Sequence, residues 1–231
     1  MATQPLKIVS SMATRQVLTE LLEAYHQAAP QQPVRFESLG GVDAARRVRA
    51  GEAFDAVVLA ADAIEQLTSE GHLRAGSRVD LVHSGVSVAV RAGAPRPDLG
   101  SEHAVRQAVL AAPSLGYSTG PSGVQLLKLF DRWGISAQVK DRLRQAPPGV
   151  PVGQMVAQGD VALGFQQLSE LIHLPGIDVV GPLPPAIRID TTFSAAVATA
   201  STQPEAALAV LAFLASPAAA EAKRRNGLLP A

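Results

Sequence analysis

Short apolar runs alternate with helical spacings along most of this chain, and the alternation predicts strand–helix units. Leu6-Lys-Ile-Val9 reads as a buried strand and leads into Ser10-Ser-Met-Ala-Thr-Arg15. Val17, Leu18, Leu21, Leu22 and Tyr25 then recur at helical spacing, with Ser10 or Ser11 as a fitting N-cap. Val34-Arg-Phe-Glu-Ser-Leu39 alternates as a second strand, Gly40-Gly41 breaks it, and Val42–Ala50 reads as helix. Phe54–Ala60 is almost continuously apolar, as a parallel strand covered on both faces must be, and Ala63–Glu70 is the helix after it. Val79–Arg91 is a long β run with a break predicted at Ser84-Gly85, which suits a crossing between two lobes.

The second half continues the pattern. Ser101–Ala111 reads as a capped helix with Glu102 near its positive end, and Ser114–Tyr117 as a short buried strand. The loop Gly116–Val124 opens an amphipathic helix that runs to Trp133. Gln138–Arg144 fits either a strand or a short helix, and Val152–Gln158 is a helix ended by Gly159. Asp160–Phe165, Ile177–Val180 and Thr191–Thr199 read as strands, with helices over Pro204–Leu214 and Pro217–Arg225. Strands alternating with helices predict an α/β fold of mainly parallel sheets. The layout divides into a discontinuous first lobe, 1–83 plus 191–231, and an inserted lobe, 84–190. Ligands of such sheets bind beyond the carboxyl ends of the strands, so the expected site is a cleft between the lobes.

Composition narrows the chemistry. The chain has 231 residues, is 47% hydrophobic, and carries 20 Lys+Arg against 20 Asp+Glu, so any anion site must be local rather than a broad basic surface. Nucleic acid is not an expected partner, nor is insertion into a membrane, because no apolar stretch is long enough to span one. The absence of cysteine excludes disulfides, thiolate metal sites and a cysteine nucleophile. The start, Met-Ala-Thr-Gln-Pro-Leu-Lys, lacks the pattern of a secretion signal, which by itself assigns no compartment.

The loop Gly116–Val124 is the strongest candidate for function. A helix leaves its first N–H groups unpaired and its dipole attracts an anion there. Gly120 and Gly123 allow close approach of the backbone, while Ser118, Thr119 and Ser122 offer hydroxyls. The device recurs at Ser10-Ser11 and at Ser38, Gly40 and Gly41. Capping accounts for any one of these hydroxyls; three such loops at one edge point to anion binding. Arg15, in the first turn after Ser10-Ser11, suits a carboxylate because its fork binds two oxygens at once. Tyr117 sits at a strand end facing the loop, and of Gln166 and Gln167, at the expected ligand edge, one faces the ligand and the other packs. Were the protein an enzyme, Tyr117, His83, Glu37 or Glu170 would carry the proton. No H-x-x-H or acidic cluster suggests a metal site, no G-x-S-x-G elbow a hydrolase and no Gly-Lys-Ser/Thr a phosphate loop, so no metal or cofactor is expected.

Several motifs, in order, resemble those of the type II periplasmic solute-binding proteins, in particular the molybdate-binding-like branch. They are I-V-S-S-M-A-T at 8–14, S-L-G-G-V at 38–42, G-E-A-F-D-A-V-V-L at 51–59, Y-S-T-G-P-S-G at 117–123, G-D-V-A-L-G-F-Q-Q at 159–167 and F-L-A-S-P-A-A-A at 213–220. The resemblance implies a monomeric periplasmic protein that closes two lobes over an oxyanion or organic anion and hands it to an ABC-type membrane transporter. Taken with the residues themselves, the expected ligand contacts are Ser10, Ser11, Thr14, Arg15, Ser38, Gly40, Gly41, Tyr117, Ser118, Thr119, Ser122, Gly123 and Gln166. Molybdate binders of this branch usually have tyrosine where this chain has Gln166, and favour a pocket without formal positive charge. Gln166 and Arg15 therefore shift the expectation from molybdate towards an organic polycarboxylate. The same branch includes aconitate isomerases, which move a proton between carbons flanked by carboxylates, and an isomerase is the alternative expectation.

Overall fold

The computed structural model describes residues 4–231 and divides into two compact units. One runs to His83 and resumes over Thr192–Ala231; the other is Ser84–Thr191. In the first unit β1 (Leu6–Ser11) pairs in parallel with β2 (Val34–Leu39) and β3 (Ala56–Ala60). A returning strand, β9 (Asp190–Val197), runs antiparallel to β3 with Ala60 opposite Phe193. The parallel pairs require crossovers, which α1 (Arg15–Ala28) and α2 (Gly41–Arg49) supply. Side chains alternate across the sheet, so each strand feeds two cores. Leu6, Ile8, Ala56 and Val58 pack under α1 and the late helices α9 (Pro204–Ala215) and α10 (Ala220–Arg225). Val9, Val57 and Leu59 pack under α2 and α3 (Ala61–Ser69).

The second unit repeats the plan. β5 (Leu115–Tyr117) lies parallel to both β6 (Leu143–Gln145) and β7 (Leu163–Gln167), and the end of β4 (Val79–Arg91) pairs antiparallel with β7 and β8 (Ile177–Pro182). α4 (Glu102–Ala111), α5 (Pro121–Arg132) and the short α6 (Ser136–Val139) cover one face, with Phe130 and Phe165 edge to face at 6.3 Å between centroids. α7 (Val152–Gln158) covers the other, where Val152 and Val156 are wholly buried. A single turn of helix, α8 (Leu168–Leu171), follows β7 directly.

Three expectations change. β4 runs unbroken through Ser84-Gly85; the glycine serves close approach, since a Cβ there would lie 3.1 Å from Asp190 Oδ1. Gln138–Arg144 holds neither one strand nor one helix: α6 passes through a 3-10 turn (Lys140–Arg142) into β6. The strand expected over Asp160–Phe165 begins only at Leu163, because the Asp160 and Val161 N–H groups close the end of α7 on the Met155 carbonyl.

Gly164 shows how tightly α7 sits. A Cβ on Gly164 would lie 2.5 Å from Val156 Cγ2 and 3.0 Å from Val152 Cγ1. Both valines are β-branched and buried, so neither can turn aside. Gly164→Ala should therefore cost about 1–3 kcal/mol by overpacking, read as a lower urea midpoint without change in slope. An unchanged midpoint would mean that α7 lifts freely from the sheet.

Candidate functional site

In the first unit the polar loop residues gather at the carboxyl edge of the parallel strands. Strand register sets Ser10 level with Ser38 on β2 and Val58 on β3, so all three strands end together and each gives way to a helix. Ser10 and Ser38 share the face covered by α1, and their hydroxyls bond at 2.6 Å. Ser11, one residue on, faces the start of α2, where a Cβ on Gly41 would sit 3.9 Å from Ser11 Cβ. The Ser11 hydroxyl is buried and has no hydrogen-bond partner. Thr14 is buried too, but its Oγ1 donates to the Ser11 carbonyl at 3.1 Å.

The sequence assigned Ser10 or Ser11 a capping role, and the structure does not support it. Ser11 occupies the N-cap position of the Met12–Thr14 turn, yet its hydroxyl makes no cap bond. No side chain caps α1, α2 (from Gly40) or α3 (from Ala60) either. A serine cap does form at the start of α4, where Ser101 Oγ accepts from the Ala104 N–H at 3.1 Å. The first-turn N–H groups of α2 and α3 are thus left for another acceptor. Arg15 opens α1, the end of a helix where its dipole disfavours a cation. It is exposed, and among the described residues its guanidinium has no ion-pair or hydrogen-bond partner.

His83 belongs to this edge as well. Its Nδ1 lies 2.9 Å from Thr192 Oγ1, and Thr192 precedes Phe193, which is opposite the last residue of β3. Glu37, a candidate base from the sequence, does not. It alternates away from Ser38 onto the α2 side, where Arg47 holds it at 2.7 and 3.0 Å. Arg47 also grips Glu52, and the two carboxylates, Glu52 foremost, raise the guanidinium further above its usual range. Glu37 is an ion-pair partner rather than a base at the ligand edge.

The second unit has its own polar edge. Tyr117 is level with Phe165, and both Gly116 and Gly164 back onto Val152 of α7. Ser118 and Gln166 continue on that face, while half-buried Tyr117 packs on the opposite one against the main core. Gly120 precedes α5 with no side-chain cap, and half-buried Thr119 precedes Gly120. Ser118 Oγ lies 3.0 Å from Ser122 Oγ. At Gly123 a Cβ would lie 1.9 Å from the Ser118 carbonyl oxygen, so only glycine lets the first turn of α5 close on the strand end.

Gln166 is tied at both ends. Its Oε1 accepts from the Gly153 N–H at 3.2 Å, and its Nε2 donates to Glu170. Surface area leaves Glu170 partly exposed, but enough protein encloses its carboxyl that desolvation pushes the pKa up to about 7, against the smaller opposing pull of the Gln166 bond. Gln167 donates to Thr191 Oγ1 at 2.9 Å, while its own Oε1 is buried without a partner. Ser84 and Ser169 also bury unpartnered hydroxyls. Sequence reasoning passed over both serines. Ser84 reads as a strand break, and nothing local marks Ser169. It also passed over the α3 start, whose Ala60-Ala61 carries neither hydroxyl nor glycine. Among the described residues no group of three His, Cys, Asp or Glu is placed to hold a metal ion.

Comparison with known proteins bears on what these edges hold. A family model described as bacterial extracellular solute-binding protein matches residues 6–229. The aconitate isomerase of a Pseudomonas species is 38% identical over 241 residues, spanning 100% of this chain and 90% of that protein. The periplasmic molybdate-binding protein of Azotobacter vinelandii superposes with a TM-score of 0.81 at 18% identity, covering 98% of this chain and 99% of that one. The sulfate-binding protein SubI of Mycobacterium tuberculosis H37Rv superposes with a TM-score of 0.79 at 18% identity, covering 99% and 87%. At such identities the structural likeness shows the fold, the type II periplasmic binding-protein architecture that the motifs resemble.

A buried hydroxyl without a partner costs stability unless a ligand engages it. Ser11→Ala should raise the stability of the ligand-free protein by about 1 kcal/mol in urea unfolding. Destabilisation would show that the hydroxyl is satisfied within the fold.

Proposed function

The chain belongs to the bacterial extracellular solute-binding protein family, and from that premise we propose that it binds the polycarboxylate aconitate and interconverts its cis and trans isomers. The observation that carries the reading is the first unit's edge: uncapped helix starts around the unpartnered Ser11 hydroxyl, beside an Arg15 that no acidic residue claims. Such donors suit a carboxylate, and the 38% identity to an aconitate isomerase along the whole chain supports aconitate as the carboxylate.

The chemistry asks little beyond positioning. A base takes a proton from the methylene carbon of aconitate, and the electron pair delocalises through the double bond and the adjoining carboxylates. A proton returned to the formerly vinylic carbon shifts the double bond by one place, with no net redox change and no co-reactant. The helix N–H groups and Arg15 hold the carboxylates where charge develops. His83 is the proton carrier, its Nδ1 set by Thr192 so that Nε2 is left for transfer.

Capture for a membrane transporter, without chemistry, is the second reading, favoured by the family match and by molybdate- and sulfate-binding relatives. It uses the same donors and needs no base, and its partner is an ABC-type transporter. On either reading we assign the protein to the periplasm, as a monomer.

Incubation with trans-aconitate in heavy water, followed by proton NMR, separates the two. The cis isomer should appear with deuterium in its methylene. Ligand line broadening without turnover would leave a carboxylate-binding transport protein; no interaction, with molybdate or sulfate bound in calorimetry, would overturn the carboxylate reading. Arg15→Ala should weaken trans-aconitate binding about 10- to 100-fold, in keeping with the loss of a charge-assisted bidentate contact. Unchanged affinity would remove Arg15 from the site.

A further inference from the structure

Lys223 is buried where nothing balances its charge. It stands in α10, and its side chain belongs to a residue only 2% exposed. Lysines this deep are ordinarily paired. Among the described residues, however, the Lys223 ammonium has neither a hydrogen bond nor an ion pair. Carboxylates on the surrounding elements are committed elsewhere or face solvent. Glu20 on α1 accepts from Arg225 and, at 2.8 Å, from Asn226. Glu221, on α10 itself, lies 3.8 Å from both Arg224 and Arg225. Asp80 on β4 accepts from Ser194 at 2.6 Å and from Arg78 at 3.0 Å. Glu23 on α1 and Glu205 on α9 are exposed. The Pro217–Ala219 turn and the Leu229–Pro230 strand, which also pack on α10, carry no charged side chain.

This side chain reaches towards the polar edge. With Leu18 of α1, Leu81 and Val82 of β4 and Leu214 of α9, Lys223 walls a cavity of about 10 Å³. Such a space admits about one water molecule. The other polar wall is Thr14. Thr14 is itself buried, ends the turn between β1 and α1, and donates its hydroxyl to the Ser11 carbonyl at 3.1 Å. One small cavity therefore separates an unbalanced cation from the turn that carries the unpartnered Ser11 hydroxyl.

We propose that Lys223 is a positioning residue whose buried, uncompensated charge, set behind Thr14, strengthens the first unit's hold on a ligand carboxylate. The proposal rests on the carboxylate reading of that edge given above. A cation taken out of water without a partner raises the energy of the ligand-free fold. An anion arriving beside Ser11 offsets part of that cost, and the apolar walls between them make the attraction stronger than it would be across water. Salt ions do not enter such a core, so the attraction persists at ionic strengths that screen a surface lysine. Desolvation lowers the pKa of the Lys223 ammonium, and a nearby bound anion raises it again.

The test is titration calorimetry with trans-aconitate at low and at high salt, for the native chain and Lys223→Met, with urea unfolding of both in the absence of ligand. Methionine keeps the length and apolar stem of the side chain without its charge. The Kd of Lys223→Met should be about tenfold weaker than that of the native chain at both salt concentrations. Its urea midpoint should be unchanged or higher, because an unpaired buried charge has gone. A merely structural lysine would lower the midpoint and leave the Kd alone. Equal Kd values overturn the proposal while leaving the carboxylate reading intact; no binding by the native chain overturns both. Should Lys223→Met fail to fold, the Cε NMR shift of Lys223 in the native chain gives the answer. Its titration midpoint should rise when trans-aconitate is added, and a midpoint that stays put refutes the proposal.

Discussion

Parallel pairing of β1 with β2 and β3 is the constraint from which the first unit's chemistry follows. Because Ser10, Ser38 and Val58 are level, the three strands end at one edge and their helices begin there. Each helix start brings N–H groups that the helix itself cannot satisfy. In an isolated unit of this kind, serine or aspartate side chains would ordinarily meet that need, as Ser101 does for α4. At this edge they do not: Ser10 and Ser38 bond each other, Thr14 turns back to a carbonyl, and the Ser11 hydroxyl bonds nothing among the described residues. The hydroxyls that local logic would spend on capping are held back, and the backbone donors stay open.

The sequence made the fold legible because period and punctuation agreed. Alternation at Val34–Leu39, helical spacing from Val17 to Tyr25 and glycine stops at Gly71 and Gly159 mark elements that exist nearly as read. Motif order then tied these elements to a known architecture. What failed were places where a long-range contact decides. Gly85 looks like a break because its neighbour, Asp190, lies far away in sequence. The start of Asp160–Phe165 looks like strand because apolar alternation cannot show that its first N–H groups are claimed by α7.

The site was legible in its loops but not in its details, for the same reason. Hydroxyls and glycines announce an anion-binding loop, yet whether a serine caps, pairs or stays open depends on which face of the strand it occupies and what lies across from it. Glu37 and Ser38 differ by one position and lie on opposite faces, one bound to Arg47, the other to Ser10. Gln166 and Gln167 part in the same way, towards Glu170 and towards Thr191. The α3 start, made of alanines, has no sequence signature at all, because its contribution is backbone alone.

A net charge of zero gives the protein no long-range excess of positive charge, so the anion recognition proposed for it would have to arise at short range. The treatment of its arginines fits that demand. Arg46, Arg47, Arg49, Arg78, Arg132, Arg188 and Arg225 are each committed to a carboxylate, and Arg74 and Arg142 to backbone carbonyls. Committed cations contribute little to a distant ligand, because the charge each presents is already balanced. Among the described residues Arg35, Arg91 and Arg106 are likewise without a carboxylate or carbonyl, but Arg15 differs from them in opening a helix, where the dipole works against it. A cation in that position gains from its surroundings only when a negative partner sits between it and the helix starts. The same field that makes the ligand-free arrangement unfavourable would therefore favour an anion bound there, which is how the proposed specificity would follow from local geometry without any excess of positive charge.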